Sequence, residues 1–524
     1  MSGAAGSAER IEADVCVVGA GAAGLYAALC AAREGGRVAL LSAMPLAQTA
    51  SYWAQGGLAA ALAAEDTPQL HLADTERAGR GAVRRSAAEA LVAEAPDCVR
   101  DLQALGFRFD ADRRGRLALG LEGGHSIRRI VHAGGSATGR RLLRELSALV
   151  VAHERVRVIE GARMSGLLLE ERGGRCLGVD CAANGGGGER RSVAVRASAR
   201  AVILSTGGAA ALWARTTNPP GSVGQGLLLA HAAGAELADL EFVQFHPTAV
   251  IGVKGREGFL ITEAIRGEGA KLLDADGERF VDELAPRDEV SRAIQRQLRA
   301  TGASSVSLDM RSIDPALFPN VVGALREAGL DPTREPIPVA PAAHYTIGGI
   351  VTDLHGRSAV PGLYAVGETA CTGLHGANRL ASNSLSECFV FGRRAALAAL
   401  TEPSPDEPRG LLHAAAAAAT GAPAEAAAGG VASADRLDAA APVEAMTRRA
   451  LSEHAGIERD ADGLTGLLAD PHPLARMLAR SALMREETRG THARSDHPEL
   501  DPRLGGRHAV LTGTDERLSW QLWE

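Results

Sequence analysis

The chain has 524 residues, a mass of 54.1 kDa and a net charge of -7, which predicts a large domain with one or two smaller units and excludes the basic surface that nucleic-acid binding requires. Its 7 cysteines are odd in number and include no CxxC pair, so we expect neither a disulfide framework nor a metal site, and reduced cysteines favour a cytoplasmic location. No run reaches the roughly 18 apolar residues that cross a bilayer, and residues 1–12 lack the apolar core of a signal peptide, so we expect no membrane association.

The first predicted elements form a βαβ unit. Residues 14–19 (DVCVVG) and 37–42 (RVALLS) are apolar runs typical of buried strands, and residues 22–33 are rich in Ala and Leu, as in a helix. The turn that joins the first strand to the helix is a GxGxxG motif, Gly19-Ala20-Gly21-Ala22-Ala23-Gly24. Its glycines permit a tight turn and the close approach of a pyrophosphate, which the helix N-terminus attracts. A chance turn in a chain with 62 glycines is the alternative, but the strand–turn–helix context favours dinucleotide binding.

The α/β pattern continues to about residue 240. Its predicted elements are helices over 85–105 and 140–151, strands over 155–159 and 201–205, and a hairpin of 166–171 with the stretch around Val179. Polar, Gly-spaced segments follow to about residue 342, and a buried strand returns within 362–367 (GLYAVG). A helix is also predicted over 474–488.

This order of elements predicts an α/β protein in which a Rossmann-like cofactor-binding domain is interrupted by an α+β capping domain and followed by a C-terminal helical domain. The predicted boundaries are 1–240 and 343–400 for the two parts of the cofactor domain, 241–342 for the inserted domain, 401–441 for a linker rich in Ala, Gly and Pro, and 442–524 for the helical domain.

Three positions favour FAD over NAD as the cofactor. The second strand ends on Ser42, where NAD enzymes carry an acid for the ribose hydroxyl. Residues 205–208 (STGG) follow a buried strand, as a second cofactor contact of flavoproteins does. Glu368 follows another buried strand and fits a hydrogen bond from a ribose or ribityl hydroxyl. The alternative for Glu368 is an acid stabilised by the dipole at a helix N-terminus.

Several loop segments are dense in chemically active side chains. They are residues 53–57 (WAQGG), 122–126 (EGGHS), 242–248 (FVQFHPT), 262–269 (TEAIRGEG), 285–288 (APRD), 344–349 (HYTIGG) and 375–387 (HGANRLASNSLSE). The cations and donors that they offer are His246, His344, Arg287 and Arg379. Two positive anchors suit a dianionic substrate, because Arg grips a carboxylate at two points and His donates near neutral pH. Anchoring of this kind aligns a substrate with the flavin that carries the hydride chemistry.

Each of these residues also has a purely structural alternative. The His246 segment fits a turn, and Arg287 fits a surface helix residue paired with Asp288. Arg266 and Arg292 fit a solvated helix face. The combination of these residues, with Gly, Pro, Asn and Thr around them, indicates binding loops instead.

These segments resemble the fumarate reductase and succinate dehydrogenase flavoprotein superfamily, and within it the L-aspartate oxidases. The resemblance covers about residues 14–394 and returns at 483–500 (LMREETRGTHARSDHPEL). Ala50 stands where the respiratory members carry a histidine linked to FAD, so the resemblance implies non-covalent FAD. Glu122 stands where those members carry a glutamine, and in L-aspartate oxidases this glutamate faces the substrate amino group.

The resemblance implies roles for individual residues. Arg287 is expected near the substrate Cα as a proton donor or acceptor, chiefly when fumarate is reduced. The other expected substrate residues are Glu122, His246, His344, Arg379, Gln244 and Thr262. The expected FAD contacts are Gly19, Ala20, Gly21, Ala22, Ala23, Gly24, Ser42, Ala50, Ser51, Trp53, Ala54, Gln55, Gly56, Gly57, Ala162, Thr206, Gly207, Gln225, Glu368, Ser384 and Leu385.

The resemblance also implies a reaction and its partners. L-aspartate is oxidised to iminoaspartate, with oxygen giving hydrogen peroxide or fumarate giving succinate, and quinolinate synthase takes the product into de novo NAD biosynthesis. Gln225, Ala43 and Ser136 depart from the family pattern, which has Asp, Lys and Asp there. A soluble fumarate reductase or related dicarboxylate dehydrogenase is the alternative enzyme. A non-catalytic flavin subunit of a membrane complex is a third alternative, against which Ala50 and the complete set of Arg and His residues argue.

Overall fold

The computed structural model describes residues 9–171, 174–184, 192–403, 411–415, 443–513 and 515–524. Its helices are α1 (Ala22–Arg33), α2 (Pro68–Ala78), α3 (Arg85–Ala104), α4 (Thr138–Ala152), α5 (Gln225–Ala232), α6 (Glu263–Gly267), α7 (Arg287–Thr301), α8 (Pro319–Glu327), α9 (Asn383–Leu400), α10 (Ala445–His454), α11 (Ala461–Leu467) and α12 (Pro473–Met484).

The described residues up to Ala238 form twelve strands. They are β1 (Glu9–Glu12), β2 (Val15–Val18), β3 (Val38–Ser42), β4 (Leu58–Ala59), β5 (Leu119–Gly120), β6 (Ile130–Val131), β7 (Val156–Glu160), β8 (Ala162–Glu170), β9 (Cys176–Asn184), β10 (Ser192–Ser198), β11 (Ala201–Leu204) and β12 (Leu237–Ala238). The later strands are β13 (Val243–Val250), β14 (Lys271–Leu273), β15 (Val306–Asp309), β16 (Ile337–Thr346), β17 (Gly349–Val351), β18 (Leu363–Ala365), β19 (Ala370–Cys371), β20 (Leu411–Ala415), β21 (Glu458–Arg459), β22 (Ala493–Arg494), β23 (Arg507–Thr512) and β24 (Arg517–Leu522).

A parallel sheet in the order β18-β11-β2-β3-β7 forms the centre of the cofactor fold. Its inner strands are apolar and fully buried, as expected when helices cover both faces of a parallel sheet. Helix α1 packs on this sheet against α9, where the rings of Tyr26 and Phe389 meet edge to face at 5.0 Å. The predicted βαβ unit and the predicted Rossmann-like class are therefore confirmed.

A second sheet, β1-β10-β9-β8-β20, flanks the first. The predicted hairpin is confirmed, since β8 and β9 pair antiparallel. The sequence predicts a linker over 401–441, and the five described residues of β20 inside it pair antiparallel with β8. Residues 404–410 and 416–442 of this predicted linker lie outside the described residues.

The segment predicted as an inserted domain, 241–342, contains most of an antiparallel sheet, β13-β16-β15-β14. The predicted boundary at 342 cuts β16, which continues to Thr346. Helices α6, α7 and α8 accompany it, and its apolar core includes Ile261, Val290 and Leu308. Strand β13 carries two register irregularities, between Gln244 and Phe245 and between His246 and Ala249. Bulges of this kind re-aim side chains next to functional sites.

The C-terminal part of the chain combines helices α10, α11 and α12 with a hairpin of β23 and β24, which joins β12 in the sheet β19-β17-β12-β23-β24. The helix predicted over 474–488 ends earlier, at Met484. Arg485 leaves the helix in an extended conformation because its buried guanidinium pairs with Glu241 and Glu487. No helix in the described part of the chain is long and apolar enough to cross a membrane.

Candidate active site

The predicted phosphate loop lies at the carboxyl end of β2, in the middle of the parallel sheet. Gly19 has φ 109°, and a Cβ there would lie 2.2 Å from the carbonyl oxygen of Ser205. A Cβ at Gly24 would lie 2.0 Å from the carbonyl oxygen of Gly19. Only glycine allows strand, turn and helix to approach so closely, so this loop leaves the N-terminus of α1 open to an anion.

Three separate segments place hydroxyl, backbone N–H and carboxylate groups near the phosphate loop. Ser51 Oγ accepts the Ala22 N–H at 3.1 Å. Gly207, with φ 78°, donates its N–H to Thr369 Oγ1 at 2.8 Å, and a Cβ at Gly207 would meet open space. Glu368 is half-buried and accepts the Thr346 N–H at 2.9 Å. Burial raises the pKa of Glu368 to about 7, against the hydrogen bonds from Thr346 that lower it.

The remaining predicted FAD residues form two groups. Some lie in the segments just described or next to them, and others make hydrogen bonds to nearby backbone carbonyls. Ala50, Ser51 and Trp53 lie on one 3-10 turn, Ala54, Gln55, Gly56 and Gly57 follow it, and Ser384 and Leu385 begin α9. Ser42 donates its hydroxyl to the Met44 carbonyl at 2.5 Å. Gln225 donates to the Met164 carbonyl at 3.1 Å, next to Ala162 at the start of β8. A glycine-lined helix N-terminus, open space at Gly207 and a carboxylate at Glu368 fit a bound FAD.

The predicted carboxylate anchors meet at Gln244 on β13. Gln244 Oε1 accepts from Arg287 Nη1 at 3.1 Å and from Arg379 Nη2 at 3.0 Å. The Arg379 guanidinium also lies 4.5 Å from the Tyr345 ring centre and donates to Ser384 Oγ at 2.7 Å. Burial and the nearby charge of Arg287 lower the pKa of Arg379 to about 10, so it remains a cation at neutral pH.

The two predicted histidines lie side by side, with ring centres 5.2 Å apart. His246 Nδ1 accepts the Thr248 N–H at 3.3 Å, which leaves Nε2 of the neutral ring to carry the proton. His344 Nδ1 lies 2.7 Å from Thr217 Oγ1. Burial, followed by the charges of Arg287 and Arg379, holds the pKa of both rings well below the ordinary value, so both are neutral at neutral pH.

Glu122 lies in the same cluster with 2% of its surface exposed. Its Oε2 accepts from Ser382 Oγ at 2.6 Å, and its Oε1 lies 3.5 Å from His132 Nε2. Burial alone would raise the pKa of Glu122, but the contacts with His132 and Ser382 and the charge of Arg287 bring it to about 2. The carboxylate is therefore ionised throughout the physiological pH range.

Thr262 joins the cluster through the start of α6. Its hydroxyl accepts the Ala264 N–H and caps the helix, while its own N–H donates to Gln55 Oε1 at 3.2 Å. Gln55 Nε2 donates to the Leu260 carbonyl at 2.6 Å, so this side chain ties the cofactor loop to the segment of Thr262. Thr262 precedes Glu263, which pairs with Arg287, and therefore lies beside the other predicted substrate residues.

The sequence did not identify Glu263 and Arg266 as members of the cluster. Glu263 Oε2 accepts from Arg287 Nε at 2.6 Å, and its Oε1 accepts the Gly123 N–H at 3.0 Å. The expectation that Arg266 lies on a solvated face was wrong, because its side chain is fully buried and lies 3.4 Å from Glu263. The Glu263–Arg266 spacing of three residues, inside a segment already dense in charge, was the available signal.

The alternative interpretation of Arg287 as a surface residue paired with Asp288 is wrong. Arg287 is buried and pairs with Glu263, whereas Asp288 accepts from Arg292 at 2.9 Å and lies 3.3 Å from Arg80. Arg292 is likewise only 23% exposed in its side chain, so it does not lie on an open solvated face. Adjacent side chains at the start of α7 point in different directions around the helix axis, which explains their different partners.

Comparisons with known proteins agree with this geometry. A family model described as an FAD binding domain matches residues 14–385, and one described as fumarate reductase flavoprotein C-term matches residues 464–521. The chain is 45% identical to an L-aspartate oxidase of Streptomyces coelicolor, over 97% of this chain and 92% of that protein. It is 44% identical to an L-aspartate oxidase of Caulobacter vibrioides, over 96% of this chain and 97% of that protein.

A solved structure shares the fold over nearly the whole chain. A mutant of the E. coli quinol fumarate reductase FrdA superposes with a TM-score of 0.83 at 28% identity, covering 98% of this chain and 97% of that one. The glycine-lined cofactor cradle, the buried cluster of Arg, His and Glu side chains and these matches agree with one another. The chain belongs to the L-aspartate oxidase family of FAD-dependent enzymes, within the fumarate reductase and succinate dehydrogenase flavoprotein superfamily.

Proposed function

We propose that the buried cluster around Gln244 is the site at which this chain, with FAD, oxidises L-aspartate to iminoaspartate. The observation that carries the proposal is the buried carboxylate of Glu122, which feels the charge of Arg287 and has no hydrogen-bond partner for Oε1 among the described residues. A dicarboxylate alone gives this anion nothing to bind. A dicarboxylate with an amino group offers an ammonium ion to Oε1, in addition to the contact that Ser382 makes with Oε2.

The carboxylate ends of the substrate would be held by the two arginines and the two histidines. Arg287 and Arg379 are cations whose guanidinium groups converge on one amide oxygen, so their remaining N–H groups are available to carboxylate oxygens. His246 presents an Nε2–H donor because its Nδ1 is occupied by a backbone N–H. Neutral histidines donate hydrogen bonds here without adding further buried charge.

Protons move at two positions in this scheme. The substrate ammonium has to lose a proton before or during hydride departure, and it lies against the ionised Glu122. At Cα, Arg287 is the group we propose as proton donor when fumarate is reduced, with Glu263 holding its guanidinium at 2.6 Å. FAD, when bound, supplies the two-electron chemistry, with oxygen or fumarate as final acceptor.

The positions of the site residues also support a division of the chain into domains. We propose that the sheet of β13, β16, β15 and β14 and its helices form the capping domain, because this unit carries His246, His344 and Arg287 onto the cofactor cradle.

We also propose that the oxidation of L-aspartate is the first step of NAD biosynthesis and that quinolinate synthase receives its product. We propose a cytoplasmic location, which the scattered free cysteines support.

The proposed activity is tested on purified protein loaded with FAD. With L-aspartate and oxygen, we expect hydrogen peroxide and the keto acid formed from iminoaspartate in equal amounts. With L-aspartate and fumarate under nitrogen, we expect succinate in place of peroxide. Oxidation of succinate without any turnover of L-aspartate would replace the proposal with a dicarboxylate dehydrogenase.

A further inference from the structure

Two buried polar atoms face each other at the amine end of the site. Glu122 Oε1 and His132 Nε2 lie 3.5 Å apart, and neither atom has a hydrogen-bond partner in the described part of the chain. The other oxygen of the Glu122 carboxylate is held by the Ser382 hydroxyl at 2.6 Å. One contact on one oxygen leaves a carboxylate free to turn about its terminal bond, whose rotamer well is broad. His132 is placed to provide the second contact.

The imidazole of His132 is held in place from behind. The residue follows β6, and its carbonyl accepts the Asp110 N–H at 2.8 Å. Its ring packs against Gly120 of β5, where an added Cβ would lie 2.6 Å from His132 Cε1. A side chain larger than hydrogen at Gly120 would therefore push the ring from its position. The side chain is 12% exposed, against 1% for Glu122.

Other charged groups surround Glu122 without occupying Oε1. Arg287 is engaged by Glu263 and Gln244, and His125 lies 2.9 Å from the Ala381 carbonyl and 3.0 Å from Arg129 Nη1. Glu263 accepts the N–H of Gly123, next to Glu122 in the chain. Arg266, which also interacts electrostatically with Glu122, lies 3.4 Å from Glu263.

We propose that His132 is a positioning residue for amine recognition, holding the Glu122 carboxylate so that it meets the ammonium group of the substrate. This inference rests on the proposed oxidation of L-aspartate. A hydrogen bond to an ionised acceptor is stronger than one between neutral groups, and it fixes the acceptor's direction. Fumarate and succinate have no ammonium group, so their binding does not use this contact. His132 therefore separates amino-acid oxidation from dicarboxylate reduction.

Two substitutions at His132 test the role. His132→Leu removes the donor at similar volume, and His132→Gln keeps an amide N–H that reaches a similar position. Each FAD-loaded variant is assayed for L-aspartate oxidation and, with a reduced dye as electron donor, for fumarate reduction. We expect His132→Leu to raise the KM for L-aspartate by about 10- to 100-fold, the loss typical of a hydrogen bond to a charged group. The KM for fumarate should stay within about threefold, and His132→Gln should restore most of the L-aspartate affinity.

A third variant reaches the same ring from outside the site. Gly120→Ala should displace the imidazole and reproduce part of the L-aspartate defect, with fumarate reduction again preserved. Equal losses for both substrates in His132→Leu, or a His132→Gln variant as impaired as His132→Leu, would overturn the inference and leave His132 a packing residue. If wild-type protein fails to turn over L-aspartate, the proposed function falls. If wild type succeeds and His132→Leu matches it, only the role of His132 falls.

Discussion

Arg287 and Arg379 donate to the same atom, the amide oxygen Oε1 of Gln244, at 3.1 and 3.0 Å. Two buried cations are thereby held close together by a neutral group. The amide is itself fixed, because Gln244 Nε2 donates to Asn378 Oδ1 at 2.9 Å and to the Arg379 carbonyl at 2.8 Å. Like charges this close repel, and a dianionic substrate relieves that repulsion. This arrangement supports the dicarboxylate binding that we propose for the site.

Replacing Gln244 by methionine removes the shared acceptor while keeping the side-chain volume. Without it the guanidinium groups of Arg287 and Arg379 separate, so we expect KM to rise for L-aspartate and fumarate alike, by about 10-fold or more. Steady-state kinetics with both substrates measures the effect. Unchanged KM values in a folded, FAD-loaded variant would show that Gln244 does not organise the anchors.

Arg287→Leu should abolish fumarate reduction. The residue is proposed to deliver the proton to Cα, and general acids of this kind contribute about 100- to 10,000-fold. L-aspartate oxidation should fall less, since hydride departure needs no proton at Cα. Arg287→Lys, which keeps a cation beside Glu263, is the matched control for folding. Retained fumarate reduction in Arg287→Leu would remove this residue from the proton-transfer role.

L-aspartate oxidation should accelerate toward alkaline pH. The pKa of Glu122 is about 2, and those of His246 and His344 lie well below the ordinary value, so these groups do not titrate as pH rises from about 6 to 9. The substrate ammonium, in contrast, loses its proton as the pH rises. The measurement is kcat/KM against pH, with fumarate reduction as the amine-free control. A flat profile for L-aspartate would contradict the account.

Folding stability should fall as pH drops below about 6.5, the ordinary pKa of histidine. Burial, together with the charge of His125, lowers the pKa of His71 to about 3. Between these values the unfolded chain binds a proton that the folded chain does not, so the free energy of unfolding rises with pH by up to about 1.4 kcal/mol per unit for this group. His246, His344 and His492 act in the same direction.

His71→Gln isolates one of these groups. Glutamine can still donate to Asn383 Oδ1, which lies 2.8 Å from His71 Nε2 in the structure. Urea unfolding at pH 5 and pH 7 should show a smaller pH dependence in the variant than in wild type, by about one histidine's share. The same pH dependence in both proteins would mean that His71 is protonated in the folded state.

The sequence predicts the parallel sheet well because the sheet depends on short, continuous apolar patterns. The apolar runs around 14–19 and 37–42 predict buried strands at almost the bounds that the structure has. His246 and His344 were identified because their segments are rich in functional side chains. The expectation that these segments are loops was wrong, since His246 lies on β13 and His344 on β16. The two histidines lie close together because β13 and β16 pair antiparallel.

The partners of these residues could not be predicted, because they come from distant parts of the chain. Glu122 meets Ser382, 260 residues away, and Ser382 is suitably placed only because its backbone adopts a left-handed conformation with φ 60°. Arg266 is a charged residue in a polar segment, which predicts a solvated helix face. The packing of α6 nevertheless buries it beside Glu263. A periodicity pattern shows which face of a helix is apolar and gives no information on what covers the other face.

Anaerobic titration of the FAD-loaded protein distinguishes oxidation of L-aspartate from oxidation of succinate. Flavin absorbance is followed while L-aspartate or succinate is added, for wild type and for Glu122→Gln. The account predicts bleaching of the wild-type flavin by L-aspartate and not by succinate, and loss of the L-aspartate response in Glu122→Gln while fumarate still reoxidises the reduced enzyme. Bleaching of the wild-type flavin by succinate alone would contradict it.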